Sequence, residues 1–244
     1  MRVFFLYYIG WVMRFKQRLV PGELVRRYKR FLADVRLADG QVVTVHCPNS
    51  GSMLGCLAPA SPVRLSRAEN PARKYPLTLE MIAVDGSWVG INTSLTNRLV
   101  REGLETGIID DFGPLAAIRS EVRVSARSRL DFRLDLAAGQ TVYLEVKNCT
   151  LTEGRVALFP DAVTTRGAKH LEELMALAAQ GHGAAVLFCV QRADAESFAP
   201  AARIDPHYAA MLAKAAQAGV RVLAWQATVT PEEIRVARRL PVAW

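Results

Sequence analysis

The feature that most constrains this chain is a change of style near residue 93. Residues 23–92 read as short β-runs broken by turn residues, whereas from Thr93 onward strand-like and helix-like runs alternate. In the first part Phe31–Leu37 and Val42–Cys47 flank Ala38-Asp39-Gly40-Gln41, and Leu77–Val84 and Trp88–Asn92 flank Asp85-Gly86. Both are hairpin patterns. With Val63–Ser66 between them, the count of short strands predicts a small β-barrel, of the OB type first. In the second part helices are expected over about Leu95–Thr106, Gly167–Gln180 and Pro206–Ala218. Strands are expected at Glu121–Val124, Leu130–Leu136, Thr141–Lys147, Ala184–Val190 and Val220–Ala227. That mixture predicts an α/β domain with a mixed sheet. The organisation read from sequence is a barrel over residues 13–92 and an α/β domain over residues 93–244, with residues 1–12 as an extension.

That extension contains Val3–Val12, an apolar run flanked by Arg2 and Arg14. It is far shorter than the roughly 20 residues that span a bilayer, and no small-residue cleavage site follows it. Three readings stay open: a segment ahead of a true start at Met13, an interfacial anchor, or an added strand. No stable membrane association is expected.

Charge is unevenly placed. The formal net charge is +8, and residues 1–30 hold eight basic side chains against the single acid Glu23. Nearly all the excess therefore sits in a basic N-terminal region, with a nearly neutral body behind it. A nucleic acid is the partner such a footprint suits best. Cys47, Cys56, Cys149 and Cys189 form no CxxC pair, which argues against zinc and for reduced thiols in the cytoplasm.

The stretch that carries chemistry is Ser128-Arg129-Leu130-Asp131-Phe132 followed by Tyr143-Leu144-Glu145-Val146-Lys147. On a strand, Glu145 and Lys147 share one face, and Leu144 and Val146 the other. Asp131 opens the neighbouring strand, so a short connection can bring its carboxylate beside Glu145, with the register open. Two converging carboxylates repel unless a cation or proton intervenes. Mg²⁺ or Mn²⁺ suits such oxygen ligands, and the matching chemistry is metal-assisted phosphodiester hydrolysis with Lys147 beside the nucleophile or phosphate. The plain alternative is a surface Glu–Lys pair with an unrelated aspartate.

Asp131 with Glu145-Val146-Lys147 resembles the core of the PD-(D/E)XK nuclease superfamily. From about Met13 onward the chain also resembles the bacterial sugar fermentation stimulation protein A family. The segments that carry this are LVPGELVRRYKRFLADV (19–35), HCPNSGSMLGC (46–56), NRLVREGL (97–104), SRLDF (128–132), EVKNCTL (145–151) and FPDAVTTRGAKHLEEL (159–174). Ser50 stands where threonine is expected, and Cys149 where valine is usual. The resemblance implies an N-terminal OB-like domain, a C-terminal nuclease-like α/β domain, DNA binding, and a link to the regulation of sugar (maltose) genes. A regulator that binds DNA without cutting it is the alternative function.

In that superfamily a helix ahead of the sheet often contributes another acid. Glu102 and Glu105 compete for the role, and the helical wheel favours Glu102. A polar residue from the following helix is also common at such sites. Arg166 and Lys169, three apart, can share a face toward phosphate. Asp161 is either a further carboxylate or a turn residue, and His170 reads as structural. In Arg26-Arg27-Tyr28-Lys29-Arg30-Phe31, charge alternates with aromatics; read as a strand, Arg26, Tyr28 and Arg30 share a face suited to single-strand binding. It is otherwise a solvated barrel strand. The loop with Asn49 and Ser50 either approaches a phosphate or is an ordinary barrel loop.

Overall fold

The computed structural model describes residues 13–70, 72–125 and 128–244. The expectations for residues 1–12 lie outside them. Met13–Arg14 (β1) begins the described chain, followed by β2 (Val20–Tyr28), β3 (Leu32–Leu37), β4 (Val42–His46), β5 (Pro62–Arg67), β6 (Leu77–Val84) and β7 (Ser87–Gly90). β2 pairs with both β3 and β5, β4 with β3, β6 with β5, and a parallel β4–β6 contact at His46↔Thr78 closes the ring. The expected OB-type barrel is therefore borne out, with β7 hairpinned onto β6. Leu24, Val35, Val45, Val63, Leu79 and Ile82 fill its interior, the inward half of the period-2 pattern.

The rest is built on a mixed sheet. After a 3-10 turn at Thr93–Leu95 come α1 (Thr96–Glu105), β8 (Leu115–Arg123), β9 (Arg129–Leu136), β10 (Thr141–Cys149), β11 (Leu151–Glu153), β12 (Val156–Phe159) and α2 (Thr165–Ala179). Then follow β13 (Gly183–Val190), β14 (Ser197–Pro200), α3 (Pro206–Gln217), β15 (Arg221–Val229) and β16 (Glu233–Leu240). Among the described residues the main sheet has the order β1-β16-β15-β13-β10-β9-β8, parallel across β10-β13-β15 and antiparallel outside them. β11, β12 and β14 form a small side sheet. α1 buries Leu99, Val100 and Leu104 on one sheet face, and α2 and α3 bury Leu171, Leu174 and Leu212 on the other. Asp205 holds the start of both later helices: its carboxylate accepts from Tyr208 N at 2.9 Å and from Thr164 N at 2.8 Å. No helix among the described residues is long and apolar enough to cross a membrane.

Three differences from expectation have physical causes. β8 begins at Leu115, well before Glu121, because as an edge strand it is only partly buried and its alternation is weak. β16, not among the expected strands, exposes Arg235 and Arg239 and turns Arg238 onto Gln226 Oε1 and Ala195 O, while Ile234 and Val236 are buried on one sheet face and Leu240 on the other. Met13–Arg14, expected in the barrel unit, pairs instead with Ile234 and Glu233 of β16.

The barrel and the sheet meet along a polar seam. Gly90 N donates to Gln191 O at 2.8 Å and Thr93 Oγ1 to Pro48 O at 2.9 Å, and on the barrel side of the seam Asn49 Nδ2 donates to Ile91 O at 3.1 Å. Gln191 is fully buried, with its Nε2 tied to Thr96 Oγ1 and Asn148 Oδ1. A Cβ on Gly90 would lie 2.3 Å from Gln191 Oε1, and the bonded amide cannot swing aside. Gly90→Ala should therefore lose about 2 kcal/mol, read as a lower urea midpoint at unchanged slope. An unchanged midpoint would show that the seam yields.

Candidate active site

β9 and β10 bring the two acids together. Their register runs from Thr141↔Asp135 to Leu144↔Phe132, and one more step would set Glu145 against Asp131. The ladder stops there. Asp131 turns its carboxylate into the gap, where Oδ2 accepts from Val146 N–H and Oδ1 from Asn97 Nδ2, each at 2.7 Å. β10 is paired on both sides, so Glu145 and Lys147 project from one face at a fixed spacing. Lys147 Nζ donates to Glu145 Oε1 at 2.6 Å. His170, on α2, meets the same oxygen through Nδ1 and lies 3.2 Å from Lys147 Nζ. Arg166, one turn earlier, has its Nε 3.5 Å from His170 Nε2. Two helices from opposite sheet faces thus converge on one strand end.

Burial dominates the electrostatics here. The Glu145 side chain is 4% exposed and that of Lys147 14%. Burial, and then the Glu145 charge, push Asp131 up to about 6 against the bonds from Val146 and Asn97. Burial also pushes Glu145 upward, but His170 and Lys147 outweigh it and hold the carboxyl below its ordinary value. Glu145 Oε2 remains buried without a hydrogen-bond partner. An orphaned carboxylate oxygen beside a second, like-charged carboxylate is a donor set that fits a hard divalent ion. No three His, Cys, Asp or Glu side chains gather as a metal cluster among the described residues, so Asp131 and Glu145 alone would supply carboxylate oxygens.

These groups open into a cleft of about 680 Å³ whose lining includes Asp131, Lys147, Asn97 and Arg166 from the sheet side and Arg30, Ser50 and Ser52 from the barrel. A second cavity of about 480 Å³ adjoins it at Asp131, Glu145, His170 and Arg166. A larger groove, about 1080 Å³, lies at the C-terminal end of α1 and holds neither site carboxylate.

Glu102 is not at this site. It sits beside the Met13 backbone and Glu233. Asn97 is the α1 residue that reaches Asp131, and Glu102, five positions on, is turned about 140° around the helix. Lys169 is exposed and lines a groove with Arg129, Glu172 and Glu173; the next residue, His170, takes the inward position. Asp161 faces the cleft, but its Oδ2 accepts from Met53 N at 2.8 Å and its carbonyl from Ser52 Oγ at 2.6 Å. It pins the barrel loop to the sheet domain, and Gly51 permits the approach because a Cβ there would lie 2.9 Å from Asp161 Oδ2.

The basic strand is also redrawn. β2 ends at Tyr28, and Lys29 and Arg30 form a hairpin turn with φ of 46° and 62°. Arg26 pairs with Asp34 at 2.8 Å and covers the Tyr28 ring, whose hydroxyl donates to Asp34 Oδ1 at 3.1 Å. The Arg27 guanidinium reaches the carbonyls of Arg30, Asn49, Gly51 and Ser52 at 2.7–3.1 Å, and Asn49 is buried in the seam. Arg26, Arg27 and Tyr28 are thus committed to internal contacts, whereas Arg30 and Ser50 border the cleft, as does Asn49, whose side-chain amide is bonded to Ile91 O.

Sequence reasoning missed Asn97 and the inward turn of His170. It also missed Glu121, which lines the adjoining cavity from a left-handed backbone at φ 54°. An Asn at the first turn of the helix before the acids, and a His one turn past the α2 start, were the available signals.

Comparison with known proteins agrees with this architecture. Residues 25–91 match the family model for the SfsA N-terminal OB domain, and residues 94–233 match that for the sugar fermentation stimulation protein RE domain. A sugar fermentation stimulation protein homolog of Pelobacter propionicus is 58% identical over 92% of this chain and 97% of its own length. One from Geobacter metallireducens is 54% identical over 94% and 99%. The structure of Pyrococcus furiosus SfsA in complex with Ca²⁺ superposes with a TM-score of 0.87 at 26% identity, covering 96% of this chain and 99% of that one. With both domain models matched in order and relatives more than half identical along almost the whole length, this chain belongs to the sugar fermentation stimulation protein family.

Proposed function

We propose that the protein is a divalent-metal-dependent nuclease that hydrolyses phosphodiester bonds in DNA. The observation that carries this reading is the convergence of Asp131, Glu145 and Lys147 where a cleft walled by both domains meets a smaller adjoining cavity. Asp131 and Glu145 would hold Mg²⁺ or Mn²⁺. The Ca²⁺ complex of the Pyrococcus furiosus relative is consistent with a hard cation on oxygen ligands. Such an ion supplies charge neutralisation at the phosphate and a more acidic water.

The chain's own residues do the rest. Lys147, steered by Glu145 Oε1, is placed to donate to the attacking water or to a phosphate oxygen. His170 holds that carboxylate from the other side, and Asn97 with Val146 N–H fixes the orientation of Asp131. Arg166 and Arg30 offer cations to the polyanion on either side of the acids. The alternative, DNA binding without cleavage, draws support from the lack of a third metal-ligating side chain in the cluster among the described residues.

Purified protein with Mn²⁺ should cleave DNA, and Glu145→Gln and Lys147→Ala should each lower the rate by about 100-fold or more while leaving DNA binding intact. Binding without cleavage in the parent protein across Mg²⁺ and Mn²⁺ would favour the regulator instead. The two neighbouring arginines should also separate. Arg27→Ala should cost about 2 kcal/mol of stability, seen as a lowered unfolding midpoint, because three charged hydrogen bonds to half-buried loop carbonyls are lost. Arg30→Ala loses a single exposed hydrogen bond to that loop, at Ser50 O, so it should cost less than about 1 kcal/mol of stability while weakening DNA binding and flattening its salt dependence. Equal loss of stability in both variants would contradict this division.

A further inference from the structure

The shape of the cleft restricts what can enter it, and we infer that the substrate is a single-stranded nucleic acid, threaded past Arg166 with unpaired bases packed at the cleft mouth. This inference rests on the nuclease reading for the chemistry, but not for the binding.

Depth is the first argument. Lys147 is nearly buried at the floor of a cavity of about 680 Å³ that Asp131 also lines, and Glu145 lies nearly buried in the adjoining cavity of about 480 Å³, volumes in the range of small-ligand pockets, roughly 300–1,000 Å³. A duplex carries its phosphates on the outside of a rigid cylinder far wider than such a cavity. It can touch the rim but cannot lower one phosphate to the carboxylates. A single strand can, because each nucleotide turns independently about its backbone.

The walls are the second. The barrel loop is fastened from three sides, by Arg27 to its carbonyls, by Arg30 Nε to Ser50 O at 3.0 Å, and by Asp161 to Ser52 and Met53. The barrel wall of the cleft is therefore a braced feature of the fold and not a flap that folds back for a duplex.

The third is chemical. Phe31 is 43% exposed just outside the cleft, beside Arg30, which borders it and holds its guanidinium 5.6 Å from the Phe31 ring centre, and Val163 is 72% exposed in the cleft lining of the sheet domain. Exposed apolar groups next to a cation are what an unpaired base requires, since stacking on an aromatic face needs no particular sequence. A base pair inside a duplex has no free face to offer them. Arg166 lines both the cleft and the adjoining cavity at Glu145 and His170, so a strand entering from the barrel side has a continuous path across the acids.

The test uses the full-length protein and one oligonucleotide sequence, made as DNA and as RNA, presented single-stranded, as a blunt duplex, and as a duplex with a single-stranded overhang. Binding is read by fluorescence anisotropy in EDTA, and cleavage with Mn²⁺. The single strand and the overhang should bind at least about tenfold more tightly than the blunt duplex. Phe31→Ala combined with Val163→Ala should weaken single-strand binding by about fivefold or more and leave duplex binding unchanged; both positions are exposed, so the fold should survive, as circular dichroism can verify. Preference for either the DNA or the RNA single strand supports the inference. Equal affinity for single strand and blunt duplex overturns it, as does a double variant that binds single strands normally. Single-strand binding without cleavage in any metal would instead overturn the nuclease reading and leave this inference standing, whereas cleavage of blunt duplex as fast as single strand would do the reverse.

Discussion

Two carboxylates share one buried strand end, and much of the surrounding structure answers that fact. A pair of like charges withdrawn from water is unfavourable unless each oxygen is supplied with donors. Asp131 takes a backbone N–H and an amide, Glu145 an ammonium and an imidazole, and one Glu145 oxygen is left open. Those donors come from β10, from α1 on one face and from α2 on the other. Meeting them requires both helices to cross the sheet at the same end. The small residues of the α2 start serve that need: a Cβ on Gly167 would lie 2.9 Å from both Thr164 and Tyr208, so the helix can sit close enough for His170 to reach inward.

What could be read from the sequence follows from which geometry is local. The pair Glu145 and Lys147 was legible because a strand places alternate residues on one face whatever its surroundings. The barrel was legible because hairpin turns such as Asp85-Gly86 announce themselves. Residues delivered by helices were not, since the side of a helix that meets a distant strand end depends on its crossing angle. Measuring α1 only from its apolar stripe led to Glu102, while the polar Asn97 on the first turn points at the site. The hairpin tip at Lys29-Arg30 was hidden for a different reason: left-handed turn positions usually carry Gly or Asn, and here two basic residues occupy them.

The basic N-terminal region also changes meaning once its contacts are known. Counting charges suggests a uniform cationic strip, but Arg26 is neutralised by Asp34 and Arg27 is spent on four backbone carbonyls. What this strand leaves for a polyanion is Lys29 and Arg30 at the turn, with Arg30 bordering the cleft beside the loop it braces. The two domains therefore contribute opposite walls of one cleft, with the acids, Lys147 and Arg166 on one side and Arg30 on the other.

Met13 and Arg14 lie in the sheet domain, yet the chain enters the barrel at Val20 and returns to the sheet domain after Gly90. In topological terms the barrel is a bead strung between two strands of the same cloth, an insertion and not a leading module. Tethered at both ends, it has no single hinge about which to swing free. Cutting one tether would not release it, and removing Met13 and Arg14 would bare the β16 backbone at Glu233 and Ile234 to foreign strands. The larger domain thereby draws its β1–β16 pairing from both sides of the barrel in sequence, Met13 and Arg14 ahead of it and Glu233 and Ile234 far behind.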